Sequence, residues 1–215
     1  MTDLWKDLIP QDVKDLYEVH NFNHAAEVLT QGCPDEFKEL MEALITFRTN
    51  TGEILKAGGN ESDIPKSFSG FLRPKDWLET KIHGDLIIWM DATSKDGVQL
   101  KTEKQIKRFI DGHKIDFVKN RVAFDVEWNS KDQTFDRDLY AFRTFHECGI
   151  ISAGVLVTRC EELNEIFTKL GVKNKYGAST TWMGKLLPRL ESGRHGGCPV
   201  LAFGIKKKLV LDWKE

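Results

Sequence analysis

The alternation of apolar and polar residues is strictest over Val122–Trp128. Every second residue of this stretch is apolar, and the residues between them include Asp125 and Glu127. Because successive side chains of a strand point to opposite faces, the pattern predicts a core strand with one apolar face and one face that carries both carboxylates. The preceding stretch, Lys114–Val118, predicts a second strand, and it contains a third acid, Asp116.

The first half of the chain has mostly helical patterns. Residues 49–70 are rich in Gly, Ser and Asn, which predicts a loop. Around this loop the apolar spacing predicts a helix within residues 7–20, a helix capped by Asn23 that extends through Leu29, a helix at Pro34–Phe47, a strand at Leu86–Met90 and a short helix at Thr102–Ile110.

From Lys114 onward the patterns follow the order strand, strand, helix, strand, helix, helix, strand. This order predicts an α/β protein with a mixed central sheet flanked by helices. After the two strands already described, the predicted elements are a helix capped by Thr134 and ended by Gly149, a strand at Gly154–Thr158, helices at Glu161–Leu170 and Thr180–Leu190, and a strand at Pro199–Ile205.

Charge is distributed unevenly along the chain of 215 residues. The net charge is only −2, but residues 1–63 carry 5 Lys and Arg against 13 Asp and Glu, whereas residues 64–215 carry 26 against 20. Basic stretches on a nearly neutral protein suit a polyanion bound at one face. The alternative is that these lysines only keep the surface soluble.

Composition narrows the class of protein further. With 40% hydrophobic and 30% charged residues, we expect a globular domain with a sizeable core. No apolar run approaches the roughly 20 residues that span a bilayer, and no signal peptide is apparent, so we expect a cytoplasmic protein without membrane contact. The glycines of Gly193–Gly197 lack the motif of a phosphate-binding loop, so no nucleotide cofactor is expected.

The three acids suggest metal-dependent phosphodiester chemistry. Asp125 and Glu127 are same-face neighbours, roughly 6.5–7 Å apart along a strand, close enough to raise each other's pKa unless a cation lies between them. Carboxylates bind hard divalent cations, and nearby basic side chains bind phosphates. The open alternative is that both acids face water on a half-exposed sheet.

The segment IDFVKNRVAFDVEWNSKD, residues 115–132, resembles the active-site segment of type II restriction endonucleases of the BglII and BstYI family, a branch of the PD-(D/E)xK nucleases related to BamHI. The resemblance extends, in the same order, to NFNHAAEVL, LRPKDW, GVLVTR and RLESGRHGGCPVLAFGI. It implies one restriction-endonuclease-like domain over residues 1–215, with an acidic helical part at 1–63 and a catalytic core at 82–205.

The resemblance also implies roles for the acids. Asp116 matches the aspartate of the PD motif, Asp125 the second metal-binding acid, and Glu127 the usual lysine position. Together with the backbone carbonyl of Val126 they would hold Mg²⁺. BglII and BstYI have Glu at the position of Asp125 and Gln at that of Glu127, whereas BamHI has Glu at the latter, so the resemblance implies a BamHI-like acidic site.

The implied activity is double-strand cleavage of palindromic DNA by a homodimer, leaving 5′-phosphates, with the helix at Phe135–His146 as a candidate interface. Alternatives are a repair or structure-specific nuclease, and a DNA-binding protein of the same fold that does not cleave. The expected DNA-binding residues are Asn129, Ser130 and Lys131 after the acidic strand, Arg137 and Arg143 on the following helix, and Lys119 and Arg121 between the two strands.

Overall fold

A computed structural model describes residues 4–56 and 63–214 of the protein. Its central element is a six-stranded sheet in the order β1-β8-β7-β6-β5-β2. The three strands β6, β7 and β8 are parallel to one another, and the other pairings are antiparallel. The strands are β1 (Tyr17–Phe22), β2 (Leu78–Lys81), β5 (Lys114–Lys119), β6 (Val122–Val126), β7 (Ala153–Arg159) and β8 (Val200–Ile205).

A second sheet consists of two long antiparallel strands, β3 (Gly84–Thr93) and β4 (Gln99–Ile110). We call this pair the ribbon. Almost all of its side chains are exposed or half-buried, in contrast to the strands of the central sheet.

Helices cover both faces of the central sheet. They are α1 (Gln11–Leu16), α2 (Ala25–Gly32), α3 (Pro34–Thr46), α4 (Thr51–Leu55), α5 (Asp63–Leu72), α6 (Thr134–Glu147), α7 (Leu163–Lys169) and α8 (Met183–Glu191), with 3-10 turns at Leu4–Leu8, Arg73–Lys75 and Lys207–Leu209. Within the described residues, no helix is both long and apolar enough to cross a bilayer.

The two faces of β6 belong to different apolar clusters. Val122 and Phe124 pack into the cluster formed with α1–α5 and α7, whereas Ala123 packs into the cluster formed with α6 and α8. Strand β6 is therefore buried on both faces, as is usual for a strand inside a sheet with parallel neighbours and helices on either side. The alternative in which both acids face water is wrong, because α6 covers that face and both acids are buried.

The predicted α/β architecture is confirmed, and so is the order of elements from β5 to β8. Individual boundaries differ by one to three residues. The helix predicted to begin at a Thr134 cap instead includes Thr134 as its first residue, and the helix predicted from Thr180 begins at Met183. Gly149 has φ +71°, the left-handed conformation that ends a helix and that glycine adopts without a steric penalty.

The predicted helix at Thr102–Ile110 is wrong, since these residues belong to β4. They pair with β3 in a ladder that includes Trp89 opposite Glu103 and Leu86 opposite Ile106, with a shift of register between Leu86 and Gly84. The spacing of Ile106 and Ile110 fits a helix as well as a strand, so the local pattern was ambiguous.

The loop predicted at residues 49–70 is also wrong where the structure describes it, because it contains α4 and most of α5. The Asn50 side chain caps α4 by accepting a hydrogen bond from the Glu53 backbone N–H at 3.0 Å. Ile64, Phe68 and Leu72 form a buried stripe at four-residue spacing on α5. Residues 57–62 of the predicted loop lie outside the described residues.

The helix predicted within residues 7–20 ends at Leu16, and the acidic N-terminal part is not purely helical because β1 follows. Tyr17 begins this strand, is buried, and donates its hydroxyl to the Leu44 carbonyl at 2.9 Å. The predicted cap, Asn23, does not cap α2. The Ala26 N–H instead donates to the side-chain oxygen of Asn21 at 2.9 Å.

Candidate active site

The β5–β6 hairpin brings two acids opposite each other. Its register pairs Phe117 with Phe124 and Val118 with Ala123, and one further step toward the open end places Asp116 opposite Asp125. Cross-strand neighbours have Cβ atoms about 4.5–5.5 Å apart. Asp116 is half exposed, whereas Asp125 is only 4% exposed.

The main chain next to Asp125 is fixed by the sheet. The Val126 N–H donates to the carboxylate of Asp125 at 3.1 Å, and the Glu127 N–H donates to the Val157 carbonyl on β7 at 2.8 Å. Glu127 therefore continues the line of β6 although the strand itself ends one residue earlier. Its side chain is 6% exposed.

A fourth acid, Asp138, reaches the same place from α6. It is 2% exposed, and its carboxyl group lies in contact with that of Glu127. Sequence reasoning missed it, although a signal was present: Asp138 is three residues after Phe135 and four before Phe142, on the buried stripe of the helix. An acid within an apolar stripe indicates a buried charge that needs a partner. We call Asp116, Asp125, Glu127 and Asp138 the acidic cluster.

Arg137 is the cation nearest to the inner part of this cluster. Its guanidinium donates to Asp138 from Nε at 3.2 Å and from Nη2 at 3.1 Å, and Nη2 lies 3.7 Å from Glu127 Oε1. The side chain is 71% exposed, so the guanidinium bridges between the buried acids and the solvent. At the outer part, Lys114 lies 3.9 Å from Asp116 and also pairs with Glu79 at 2.8 Å.

Burial and mutual repulsion raise the pKa values of the three inner acids. The pKa of Asp125 lies well above its usual value because of burial first, and then because of the negative charges of Asp138, Asp116 and Glu127. Burial also raises the pKa of Asp138 well above its usual value, with a further contribution from Glu127. The pKa of Glu127 is raised by burial, although the hydrogen bond with Ser130, the charge of Arg137 and the hydrogen bond with Asp138 act in the opposite direction.

The cluster has the chemistry of a site for a hard divalent cation. Four carboxylates face few cationic side chains, and two of them, Glu127 and Asp138, are buried in contact with each other. No three His, Cys, Asp or Glu side chains of the described residues already form a metal-binding group. Mg²⁺ does not require one, because it keeps several waters and binds through one or two carboxylates and substrate phosphates. The residues present fit Mg²⁺.

The segment predicted to read DNA pairs with a second loop. The Thr181 N–H donates to the Ser130 carbonyl at 2.9 Å, and the Asp132 N–H donates to the Ser179 carbonyl at 3.0 Å. Ser130 and Lys131 are exposed, whereas Asn129 is half-buried and its side-chain oxygen is buried without a partner. The backbone ladder thus places residues 179–181, absent from the predicted site, next to the predicted segment.

The structure does not bring every predicted basic residue to the acidic cluster. Lys119 and Arg121 lie at the turn end of the hairpin, with Arg121 roughly 13 Å along the strand from Asp125. Lys119 donates to both carboxylate oxygens of Glu39 at 2.8 and 2.9 Å, and Arg121 donates to Ser152 at 2.8 Å. Arg143 lies on the exposed side of α6, where it pairs with Glu147 at 2.7 Å.

A mixed six-stranded sheet flanked by helices, with an acidic hairpin at one edge of its parallel part, is consistent with a restriction-endonuclease-like fold. The family model described as restriction endonuclease BglII/BglIII matches residues 17–205, from the first residue of β1 to the last residue of β8. The chain belongs to this family. Membership supports a type II restriction endonuclease function, that of a site-specific nuclease acting on double-stranded DNA. A comparison with curated proteins found no match.

Proposed function

We propose that the protein is a Mg²⁺-dependent type II restriction endonuclease that cuts both strands of a palindromic site and leaves 5′-phosphates. The observation that carries the proposal is the placement of buried carboxylates beside the half-exposed Asp116, in a chain of the BglII/BglIII family. A buried acidic cluster is costly to stability, and such groups are typically found where function requires them.

Asp116, Asp125 and the carbonyl of Val126 would hold Mg²⁺, with Glu127 as a further ligand or as the residue that orients the attacking water. When bound, the cation would polarise the scissile phosphate and lower the pKa of a water toward neutrality. Glu127, whose carboxyl group lies near that of Asp125, can accept a hydrogen bond from that water. Arg137, with its exposed guanidinium, is placed to bind a phosphate oxygen beside the cluster.

A digestion of a fully sequenced genome tests the activity. With Mg²⁺ we expect a discrete ladder of fragments whose ends share one palindromic sequence, and with a chelator we expect no cutting. Smears, or nicks at junctions, would instead indicate a repair or structure-specific nuclease. Retained DNA binding without any cleavage would indicate a DNA-binding protein of the same fold.

Two variants test the assignment of the acids. Asp116→Asn and Asp125→Asn each remove an anionic ligand, so we expect cleavage to fall to about one hundredth or less, the scale of losing a key electrostatic group. DNA binding should hold or tighten, since negative charge near phosphate is lost. Asp111→Asn, at an exposed acid just before β5, is the matched control and should cut normally. Cutting near the parental rate by either test variant contradicts the assignment.

We also propose that the active form is a homodimer, because one acidic cluster per chain cuts one strand and a palindrome mirrors two-fold symmetry. The candidate interface is the solvent side of α6, where Tyr140 is 51% exposed. Sedimentation should show dimers, free or on DNA, and Tyr140→Glu should shift the equilibrium toward monomer. A parental chain that remains monomeric in both states contradicts this part of the proposal.

A further inference from the structure

Arg159, the last residue of β7, is a buried charge that the proposed chemistry does not use. Only 1% of its surface is exposed. Burial lowers the pKa of its guanidinium to about 10, which still leaves the group positively charged at neutral pH. Among the described residues, no carboxylate forms an ion pair with it. A charge buried without an opposite charge is destabilising, so its other contacts must compensate for it.

The Arg159 guanidinium contacts one ring of α7 and one loop that follows this helix. Its central carbon lies 5.3 Å from the ring centroid of Phe167 and 5.4 Å from that of Tyr176, and the two rings stack on each other at 4.1 Å. Nη2 donates to the Tyr176 carbonyl at 3.2 Å and to the Thr180 hydroxyl. Apart from Phe167, these partners lie within residues 176–180, so Arg159 joins this loop to the central sheet.

Thr180 connects Arg159 to the segment that we expect to contact DNA. Its hydroxyl accepts from Arg159 and donates to the Gly177 carbonyl at 2.7 Å, so its orientation is fixed from two sides. Its main chain forms a bridge with Lys131, with a backbone hydrogen bond on either side. The side chain that Arg159 holds therefore belongs to the residue that pairs with Lys131.

The part of the loop between these contacts is small and open to solvent. Residues 177–179 are Gly, Ala and Ser, and the last two are exposed. A separate contact holds the start of the loop, where the Tyr176 hydroxyl donates to the Ile54 carbonyl of α4 at 2.9 Å. Arg159 therefore fixes, from inside the protein, the half of the loop that lies next to Lys131.

Arg159 and the acidic cluster lie on opposite faces of the central sheet. Along β7, Val157 packs into the apolar cluster formed with α1–α5 and α7, and Arg159, two residues further on, shares its face. On β6, Ala123 packs into the cluster formed with α6 and α8, and Asp125 shares that face. A change at Arg159 therefore acts on the loop and not directly on the acids.

We propose that Arg159 is a positioning residue for sequence recognition, which holds the Thr180 backbone in register with Lys131 without touching DNA itself. The inference rests on the proposed function. Groups that contact base edges must be held to within about 0.5 Å by side chains that are themselves fixed by packing and hydrogen bonds. Arg159 meets this requirement because its planar guanidinium stacks on rings and donates hydrogen bonds at the same time.

Arg159→Met tests the proposal, since it keeps most of the side-chain volume and removes the guanidinium. Replacing a buried charge with an apolar group of similar size is often neutral for stability, so the melting temperature should stay near that of the parent. The probe is a pool of random-sequence duplexes, bound with Ca²⁺ in place of Mg²⁺ so that bound DNA is recovered uncut. We expect the ratio of specific to non-specific affinity to fall about tenfold, as for the loss of one base contact.

Non-specific binding should be unchanged in Arg159→Met. A merely structural role would instead lower the melting temperature and weaken binding to all duplexes alike, and that result overturns the proposal.

Thr180→Val removes the hydroxyl that Arg159 contacts and is nearly isosteric. It should show the same loss of discrimination, and the double variant should lose no more than either single variant, because both act through one contact. Tyr176→Phe is the matched control, since it removes the hydrogen bond to α4 at the start of the same loop and should discriminate like the parent. Should Arg159→Met not fold, Thr180→Val takes its place, and full discrimination by Thr180→Val overturns the proposal.

The parent separates this inference from the proposed function. If the parent enriches no sequence from the pool, the proposed function and the inference are both wrong. If the parent enriches a palindrome and Arg159→Met enriches the same palindrome as strongly, only the inference is wrong and the proposed function stands.

Discussion

The acidic strand β6 and the ribbon are built on the same strand geometry but differ in what surrounds them. Strand β6 has five residues, all buried, with β5 on one side and β7 on the other. The ribbon has strands of 10 and 12 residues that pair with each other, and it exposes Trp89, Met90 and Leu100. The carboxylates of β6 are therefore enclosed by protein, whereas those of the ribbon, such as Glu103, are exposed to solvent. Burial, and not strand length, is what makes a charged carboxylate energetically costly unless it has a partner.

Phe124→Ala tests how much the enclosure of β6 contributes to the stability of the protein, and we expect it to have the largest effect. The Phe124 ring is fully buried and packs against Phe68 at 5.5 Å and Phe117 at 5.8 Å between ring centroids. Its loss leaves a cavity, so we expect the free energy of unfolding to fall by about 3–5 kcal/mol. Denaturant unfolding measures this, and a loss below about 1 kcal/mol would mean that β6 is less enclosed than described.

Asp125→Asn tests how the buried charge of Asp125 affects the stability of the protein as the pH changes. A raised pKa in the folded state means that the folded protein keeps a proton that the unfolded chain releases above its ordinary pKa of 3.8. The stability contributed by this group is therefore present at low pH and is lost as pH rises through the folded-state pKa.

In a chelator, where no cation offsets the charge, the parent should lose stability from about pH 4 upward more steeply than Asp125→Asn. Near neutral pH the variant should be the more stable of the two. Unfolding free energies across this range measure the effect, with Asp111→Asn as the control for a single exposed charge. Parallel pH curves for the parent and Asp125→Asn would contradict the assignment.

A comparison of Lys131→Ala with Lys104→Ala tests whether the segment after β6 or the ribbon contacts the DNA bases. Lys131 is exposed and lies four residues after Glu127, whereas Lys104 is exposed on the ribbon. Losing a base contact costs about 1–3 kcal/mol of discrimination, so Lys131→Ala should lower the ratio of specific to non-specific binding. Lys104→Ala should at most weaken binding to all DNA alike. Competition binding with cognate and one-base-altered duplexes separates these outcomes. If Lys131→Ala loses the same affinity for both duplexes, the bases are read elsewhere, for example by the neighbouring Lys173–Thr181 segment.

Trp89→Ala should have the smallest effect. Trp89 is 69% exposed and its indole N–H donates to Glu103 across the ribbon at 3.0 Å. Losing one exposed cross-strand pair costs about 0.2–1 kcal/mol. A chemical denaturation midpoint shifted as far as that of Phe124→Ala would show that the ribbon is packed against a partner in solution.

The comparison also explains how much of the fold was predictable from the sequence. Strand β6 and helix α6 have strong periodicity because packing against the core dictates which residues are apolar. Strand β4 meets solvent on both sides, so no burial constrains its alternation, and Ile106 and Ile110 fit a helix equally well. The strand β1 was missed for a different reason, since its partner β8 is distant in the chain and leaves no local signal.

The candidate site was predictable where its residues share one strand pair and not where they come together through tertiary packing. Asp116, Asp125 and Glu127 follow from the alternation of two neighbouring stretches. Asp138 was overlooked because the stripe of α6 was interpreted from its apolar members. The ladder that joins Ser130 to Thr181 depends on two loops that lie about 50 residues apart in sequence, a contact that no local pattern encodes.

The pairing of β1 with β8 has a consequence for the time course of folding. Tyr17 lies opposite Ile205, so the two strands are 188 residues apart in the chain. At a synthesis rate of about 5–20 residues per second, β1 waits roughly 10–40 s on the ribosome before its partner is made. Such a long-range pairing also slows refolding, because a large loop must close before the contact forms. During that interval the edge of β1 that β8 covers in the folded protein has no hydrogen-bonding partner.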